Sequence, residues 1–224
     1  MGRLISFGCS MTYGQALPDC FTPQYGFGPN PSNYSWVSLV AKTVNLECVN
    51  LARPGSSNKR IAHDVLNYKF VNDDMVFIQW TYPNRTSVID NKHNVHNILP
   101  QHTDIKSQVY YKELHSEYDS ILQSKLYISS INMLLKSKNL KVYNLLLKKE
   151  YTDCLNLSGL ITEHIPLYLD EYERAYPRAL DKCHIGIEGN SMFAKHLLEH
   201  LDVDNSLPTY KKLTLMQKIL RDRK

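Results

Sequence analysis

Leu4-Ile5-Ser6-Phe7-Gly8-Cys9-Ser10-Met11-Thr12-Tyr13-Gly14 is the stretch on which the reading of the fold turns. A short apolar run ends in a glycine, and a small hydroxyl residue follows two positions later. This is how a serine side chain is presented at the carboxyl end of a strand, and in open α/β sheets ligands gather at that end. The competing reading is a strand followed by an ordinary Gly/Ser turn. Residues far along the chain decide between the two.

Outward from this stretch, apolar runs alternate with helical periodicity. Residues 3–7 predict a first strand, and a Pro/Gly-rich loop follows over 14–33. Ser35 opens a helix carrying Trp36, Val37, Leu39, Val40 and Val44, and 46–51 reads as strand two. After Ala52-Arg53-Pro54-Gly55-Ser56-Ser57-Asn58, a helix is expected to about Tyr68, with Ile61, Ala62, Val65 and Leu66 as its apolar face. Met75 to Trp80 is a continuous apolar run of the kind buried on both faces in parallel sheets. The βαβαβ order predicts a three-layer α/β/α fold with a mainly parallel, flavodoxin-like sheet.

Residues 81–115 are polar and without sustained period, and read as a loop insertion. A long helix is expected over 117–137, strand four over 140–147 and a last helix over 189–201. Ile165–Leu169 reads either as a fifth strand or as a helix. The body is taken as residues 1–202 and the remainder, 203–224, as a basic tail. Of the formal charge of +4, all falls in that tail, where six Lys and Arg face two Asp. The body is therefore near neutral and gives no reason to expect a nucleic-acid partner. Leu213, Met216, Ile219 and Leu220 recur at helical spacing in the tail. Docking on the body or disorder is the first expectation there, ahead of assembly or contact with an anionic surface.

Hydrophobic residues at 43% and charged residues at 21% fit a globular protein, and no apolar run is long enough to span a bilayer. The first residues lack the pattern of a signal peptide, so the expected location is the cytoplasm, or a host cytoplasm or virion for a phage-encoded chain. Five scattered cysteines without a C-x-x-C pair predict free thiols, with Cys9 and Cys183 as small packing residues. His93, His96, His102 and His115 have no common zinc spacing and read as solvated histidines. No metal or other cofactor is expected.

Three loops, Gly8-Cys9-Ser10, Pro54 to Asn58 and Thr81 to Arg85, follow three successive parallel strands and should open at one sheet edge. Asp181-Lys182-Cys183-His184 precedes the last helix, where a loop can return to that edge. Ser10, His184 and Asp181 supply the nucleophile, base and orienting carboxylate that serine hydrolysis needs. Backbone N–H groups near Ser10 and at Gly55 suit a tetrahedral oxyanion.

These blocks, in this order over residues 3–200, resemble the SGNH (GDSL-type) hydrolases. Gly8-Cys9-Ser10-Met11-Thr12 is similar to the first block, usually Gly-Asp-Ser-Leu/Phe-Thr, with Cys9 where aspartate is common. Asn50-Leu51-Ala52-Arg53-Pro54-Gly55 looks like the second, and Asp181 to His184 with Ile185, Gly189, Asn190 and Ala194 like the fifth. The set also resembles phage or bacterial relatives that open Gly-Cys-Ser-Phe-Thr-Tyr-Gly. The resemblance implies Ser10 as nucleophile, His184 as base, Asp181 as its partner and Gly55 as an oxyanion donor. The departure is the third block, where Gln79-Trp80-Thr81-Tyr82 puts Thr81 at the family's oxyanion asparagine. The Thr81 hydroxyl could donate in its place, or Asn58 or Asn84 could swing in. Arg85 is open to an anionic or sugar substrate or to a loop carboxylate, and Tyr13 to lining the pocket or packing. The implied activity is metal-independent hydrolysis of a small acyl ester, such as an O-acetyl group on a carbohydrate. The alternative is a catalytically weakened SGNH-fold binding protein or virion component.

Overall fold

A computed structural model describes residues 2–155 and 163–202. Four strands, β1 (Arg3–Phe7), β2 (Glu47–Asn50), β3 (Met75–Trp80) and, later in the chain, β6 (Lys141–Leu146), form a parallel sheet in the order β2-β1-β3-β6. Two further strands, β4 (Thr86–Ile89) and β5 (Val95–Ile98), pair only with each other as an antiparallel hairpin. The helices are α1 (Ser10–Tyr13), α2 (Trp36–Thr43), α3 (Asn58–Leu66), α4 (Ile105–Val109), which runs on as a π-helical turn over Tyr110–Leu114, α5 (Glu117–Ser137), α6 (Glu150–Leu155), α7 (Leu169–Ala175) and α8 (Ile187–His200).

Alternation along the strands builds two cores, because successive side chains leave a strand on opposite faces. Leu4, Phe77, Tyr143 and Leu145 point to one face and pack on α2, α7 and α8, where Trp36, Leu169 and Phe193 are fully buried. Ile5, Phe7, Val76, Ile78, Val142 and Leu146 point to the other and meet Ile61, Val65, Ile128 and Leu135 of α3 and α5. The three-layer α/β/α fold is as the sequence predicts. Hydroxyl side chains start the helices where expected: Ser35 accepts from Ser38 N–H, and Ser57 accepts from Arg60 N–H at 3.1 Å.

Two readings need correction. The 81–115 insertion is not a structureless loop but contains the β4–β5 hairpin, α4 and the π-turn. Its tight bend is held by the Asp90 carboxylate, which accepts from Lys92 N–H, Asn94 N–H and the Asn94 amide at 2.8–3.0 Å, with His93 in the left-handed region at φ 63°. Both strands are four residues long and mix polar with apolar side chains, so no apolar alternation marks them. Ile165–Leu169 is neither a full strand nor a full helix. His164 makes one parallel bridge to Asn144 of β6, and Leu169 begins α7. The tail readings fall outside the described residues.

One ion pair ties the strands together away from the candidate site. Arg3 of β1 donates to both oxygens of buried Asp74 at 2.8 and 2.7 Å, and Asp74 also accepts from Val71 N–H. Burial pushes the Asp74 carboxyl up, but these bonds outweigh it and hold it below the usual carboxylate range. A carboxyl lowered in the folded state stabilises fully above its unfolded value of about 4. That contribution fades as pH falls through the lower folded value. Asp74→Asn is therefore expected to lose about 2 kcal/mol at neutral pH, the scale of hydrogen bonds to charged groups. In urea unfolding the variant and the wild type should converge in acid.

Candidate active site

Ser10 is the first residue of α1, a single helical turn that begins as soon as β1 ends. Two features hold that turn against β3. A Cβ on Gly8 would collide with the Thr12 side chain and stand 3.3 Å from Gln79 Cβ, so only glycine lets the chain pass here. Gln79, fully buried in β3, accepts from Thr12 Oγ1 at 2.8 Å and from Cys9 Sγ at 3.5 Å. Asn50, at the end of β2, donates to Thr12 carbonyl at 2.8 Å, and Arg53 N–H donates to Gly8 carbonyl. The first and second loops are thus laced together at the carboxyl edge of the sheet. The Ser10 side chain sits at that edge, 7% exposed, and among the described residues its hydroxyl makes no hydrogen bond.

His184 and Asp181 occupy the tip of a narrow loop. Ala179 N–H donates to His184 carbonyl, Gly186 N–H donates to Pro177 carbonyl, and Arg178 bridges to Ile185. A Cβ on Gly186 would run into Pro177 carbonyl, so the loop closes tightly only with glycine there. Leu180 N–H donates to Ala16 carbonyl at 3.1 Å, which ties this loop to the chain leaving the Ser10 turn. Asn190 of α8 locks it from behind, donating to Ile185 and Gly186 carbonyls while accepting from Trp36 N–H.

Within the loop, His184 Nδ1 lies 2.6 Å from Asp181 Oδ2. Asp181 Oδ1 accepts from the N–H groups of Cys183 and His184 at 2.9 and 3.0 Å. Burial pushes the Asp181 carboxyl up, yet these bonds together keep it below the ordinary value. An ionised carboxylate can only accept, so Nδ1 carries the hydrogen, and in the neutral imidazole Nε2 is left as the acceptor. Among the described residues no direct hydrogen bond joins Ser10 to His184.

The remaining sequence candidates divide. Arg53 carbonyl accepts from Ser56 N–H in a turn with Pro54 second and Gly55 third; Gly55 has φ 73°, the type II geometry that calls for glycine. Thr81 is 1% exposed and its hydroxyl accepts from Arg85 Nη1 at 3.2 Å. Asn58 is buried and fully engaged: its oxygen accepts from Thr81 N–H at 2.8 Å, and its amide nitrogen donates to Thr81 carbonyl and Ser124 Oγ. It fastens α3 to the end of β3 and has no hydrogen left for a ligand. Asn84 is exposed, with its carbonyl accepting from Tyr111. Tyr13 is buried, donates to Gly28 carbonyl at 2.7 Å and meets Phe27 edge-on, so it packs the 14–33 loop. Cys9 is buried in the core, whereas Cys183 is exposed and is not a packing residue. His96 and His102 sit beside Asp90 and Asp104, and among the described residues no three potential ligands gather around a metal position.

One residue at this edge has no counterpart in the sequence motifs. Asn97 of β5 places Nδ2 3.3 Å from where a Gly55 Cβ would stand. Its oxygen accepts from Ser87 Oγ at 2.9 Å, and Ser87 shares a 2.7 Å hydrogen bond with Ser57, the cap of α3. This relay turns the amide so that Nδ2 faces Gly55, and among the described residues that nitrogen has no acceptor. Only the hairpin's fold brings Asn97 here, and no spacing rule points to it.

No family model matches the sequence, and no curated protein matches it. Solved structures do. A member of the lipolytic G-D-S-L family from Veillonella parvula superposes with a TM-score of 0.53 at 13% identity, covering 89% of this chain and 97% of that one. The chain has the SGNH-hydrolase fold. The acetyl xylan esterase Est2A from the rumen bacterium Butyrivibrio proteoclasticus gives 0.55 at 11% identity, with 89% of this chain matched to 63% of that one. A carbohydrate esterase described as having divergent catalytic and non-catalytic binding functions gives 0.57 at 14%, over 92% of this chain and 66% of its own. The chain thus spans about two-thirds of the length of these last two.

Proposed function

We propose that this SGNH-fold chain is a serine ester hydrolase acting on small acyl esters, such as O-acetyl groups on a carbohydrate. The observation that carries this reading is the His184–Asp181 pair at 2.6 Å, on a loop hydrogen-bonded to Ala16 just past the Ser10 turn. His184 Nε2 takes the proton of Ser10 Oγ as Oγ bonds to the ester carbonyl carbon, and the carbonyl electron pair moves onto oxygen. Collapse expels the alcohol, which leaves with the proton from the imidazolium. Water then cleaves the acyl-serine with the same base. The oxyanion is held by the N–H groups of Ser10 and Gly55 and by Asn97 Nδ2, which stands in for the third-block asparagine. The acetyl xylan esterase and carbohydrate esterase among the similar folds support the substrate class. The chain works without a metal, in the cytoplasm, and its tail from residue 203 is an appendage to the catalytic body.

A second reading, a binding protein on the same fold, draws on the lack of a direct Ser10–His184 hydrogen bond among the described residues and on Thr81 at the asparagine position. A fluorophosphonate probe separates the two. Hydrolysis requires that the probe label Ser10 in the wild type and that labelling drop by about a hundredfold or more in His184→Ala, the usual worth of a positioned base. Absence of labelling in both leaves the binding reading.

A further inference from the structure

A recess of about 200 Å³ opens on the α3/α5 side of the sheet, and its lining includes neither Ser10 nor His184. It is lined by Lys59 of α3, Arg85, Tyr110 of the π-turn, and Asp119, Gln123 and Tyr127 of α5. Among the described residues its charges lack ion-pair partners: neither Arg85 nor Lys59 has a carboxylate within ion-pair distance, and Asp119 has no cation. Arg85 is nevertheless held in place: Nη1 donates to Thr81 Oγ1 at 3.2 Å, and the guanidinium lies 4.5 Å above the centre of the Tyr82 ring. Its other N–H groups remain available in a fixed fork, the arrangement that binds a carboxylate or phosphate by two parallel hydrogen bonds.

We propose that this recess binds an acidic sugar, with its carboxylate or phosphate between Arg85 and Lys59 and its hydroxyls toward Asp119 and Gln123. A neutral sugar would leave two partly buried cations unmatched. Asp119 and Gln123, both exposed at the recess rim, are placed to take hydrogen bonds from sugar hydroxyls that a bare anion lacks. The tyrosines at 110 and 127 give a polar-edged wall for a ring. Because Arg85 also touches Thr81 at the carboxyl end of β3, the sugar would extend from the ester held at Ser10. That last placement rests on the hydrolase reading; the binding itself does not.

The test is an NMR titration of the full chain at constant ionic strength with sodium glucuronate, glucose 1-phosphate, inorganic phosphate and glucose. Saturable shifts centred on residues of the recess are expected with glucuronate or glucose 1-phosphate, the tighter of the two identifying the anion. Arg85→Gln and Lys59→Gln should each weaken that binding by roughly tenfold or more, the range of a lost charge-assisted contact. Equal binding of glucose, equal binding of inorganic phosphate, or unchanged affinity in both variants would overturn the proposal, as would no saturable shift. Absence of fluorophosphonate labelling in the wild type with glucuronate binding intact would remove the hydrolase reading and leave the sugar site standing. Melting curves of both variants confirm that they fold.

Discussion

Ser10→Ala is expected to lower kcat/KM for p-nitrophenyl acetate by about 10⁴-fold or more, the range seen when the nucleophile of a serine triad is removed. The fold should be almost indifferent to the change. Among the described residues the Ser10 hydroxyl makes no hydrogen bond, so its removal orphans no buried partner. The α1 turn is held instead by Gly8, Gln79 and Asn50. Stability should stay within about 0.5 kcal/mol of the wild type, as for a substitution that breaks no named interaction. Loss of activity with an unchanged unfolding midpoint assigns the effect to chemistry. Equal rates in wild type and variant would mean that Ser10 is not a nucleophile, however well the rest of the site is built.

Much of the fold is legible in the sequence because it depends on local periodicity. β1 and β3 are short apolar runs and α5 is a long helical stretch, and the two cores follow from strand alternation. The Asp181–His184 contact is legible for the same reason: the partners are three residues apart, so one loop can bring them together. What joins them to Ser10 is not local. Asn190 reaches Trp36 across more than 150 residues, and the link from Leu180 to Ala16 is a backbone hydrogen bond that leaves no side-chain signature. Asn58 shows the converse problem. Its position after a tight loop suggests a free amide near the ligand, but the neighbouring end of β3 presents a bare N–H and carbonyl that take up that amide completely. A buried backbone pair of this kind must be satisfied, and the side chain that satisfies it is lost to other work. The β4–β5 hairpin escapes a periodic reading because its four-residue strands pair only with each other and bury few apolar side chains.

That hairpin leads to the second large effect. Asn97→Ala is expected to lower kcat for p-nitrophenyl acetate by roughly a hundred- to a thousandfold with little change in KM, as for removal of one oxyanion donor. The split follows from the proposed role: a donor to the tetrahedral oxygen contributes most in the transition state and little to the bound ester. Asn97→Asp should be at least as damaging, since a carboxylate has no hydrogen to give and repels developing negative charge. Asn97→Ala also removes the acceptor of the Ser87 hydroxyl, at a cost of about 1 kcal/mol in stability, whereas Asn97→Asp keeps an acceptor oxygen there, so unfolding midpoints should be measured alongside the rates. Thr81→Val is the discriminating control. Thr81 is buried, and its hydroxyl oxygen already accepts from Arg85. If Asn97 is the donor, Thr81→Val costs much less in kcat than Asn97→Ala. The reverse order would return the oxyanion to the position that the family motif marks, and would leave Asn97 as a brace between the hairpin and Gly55.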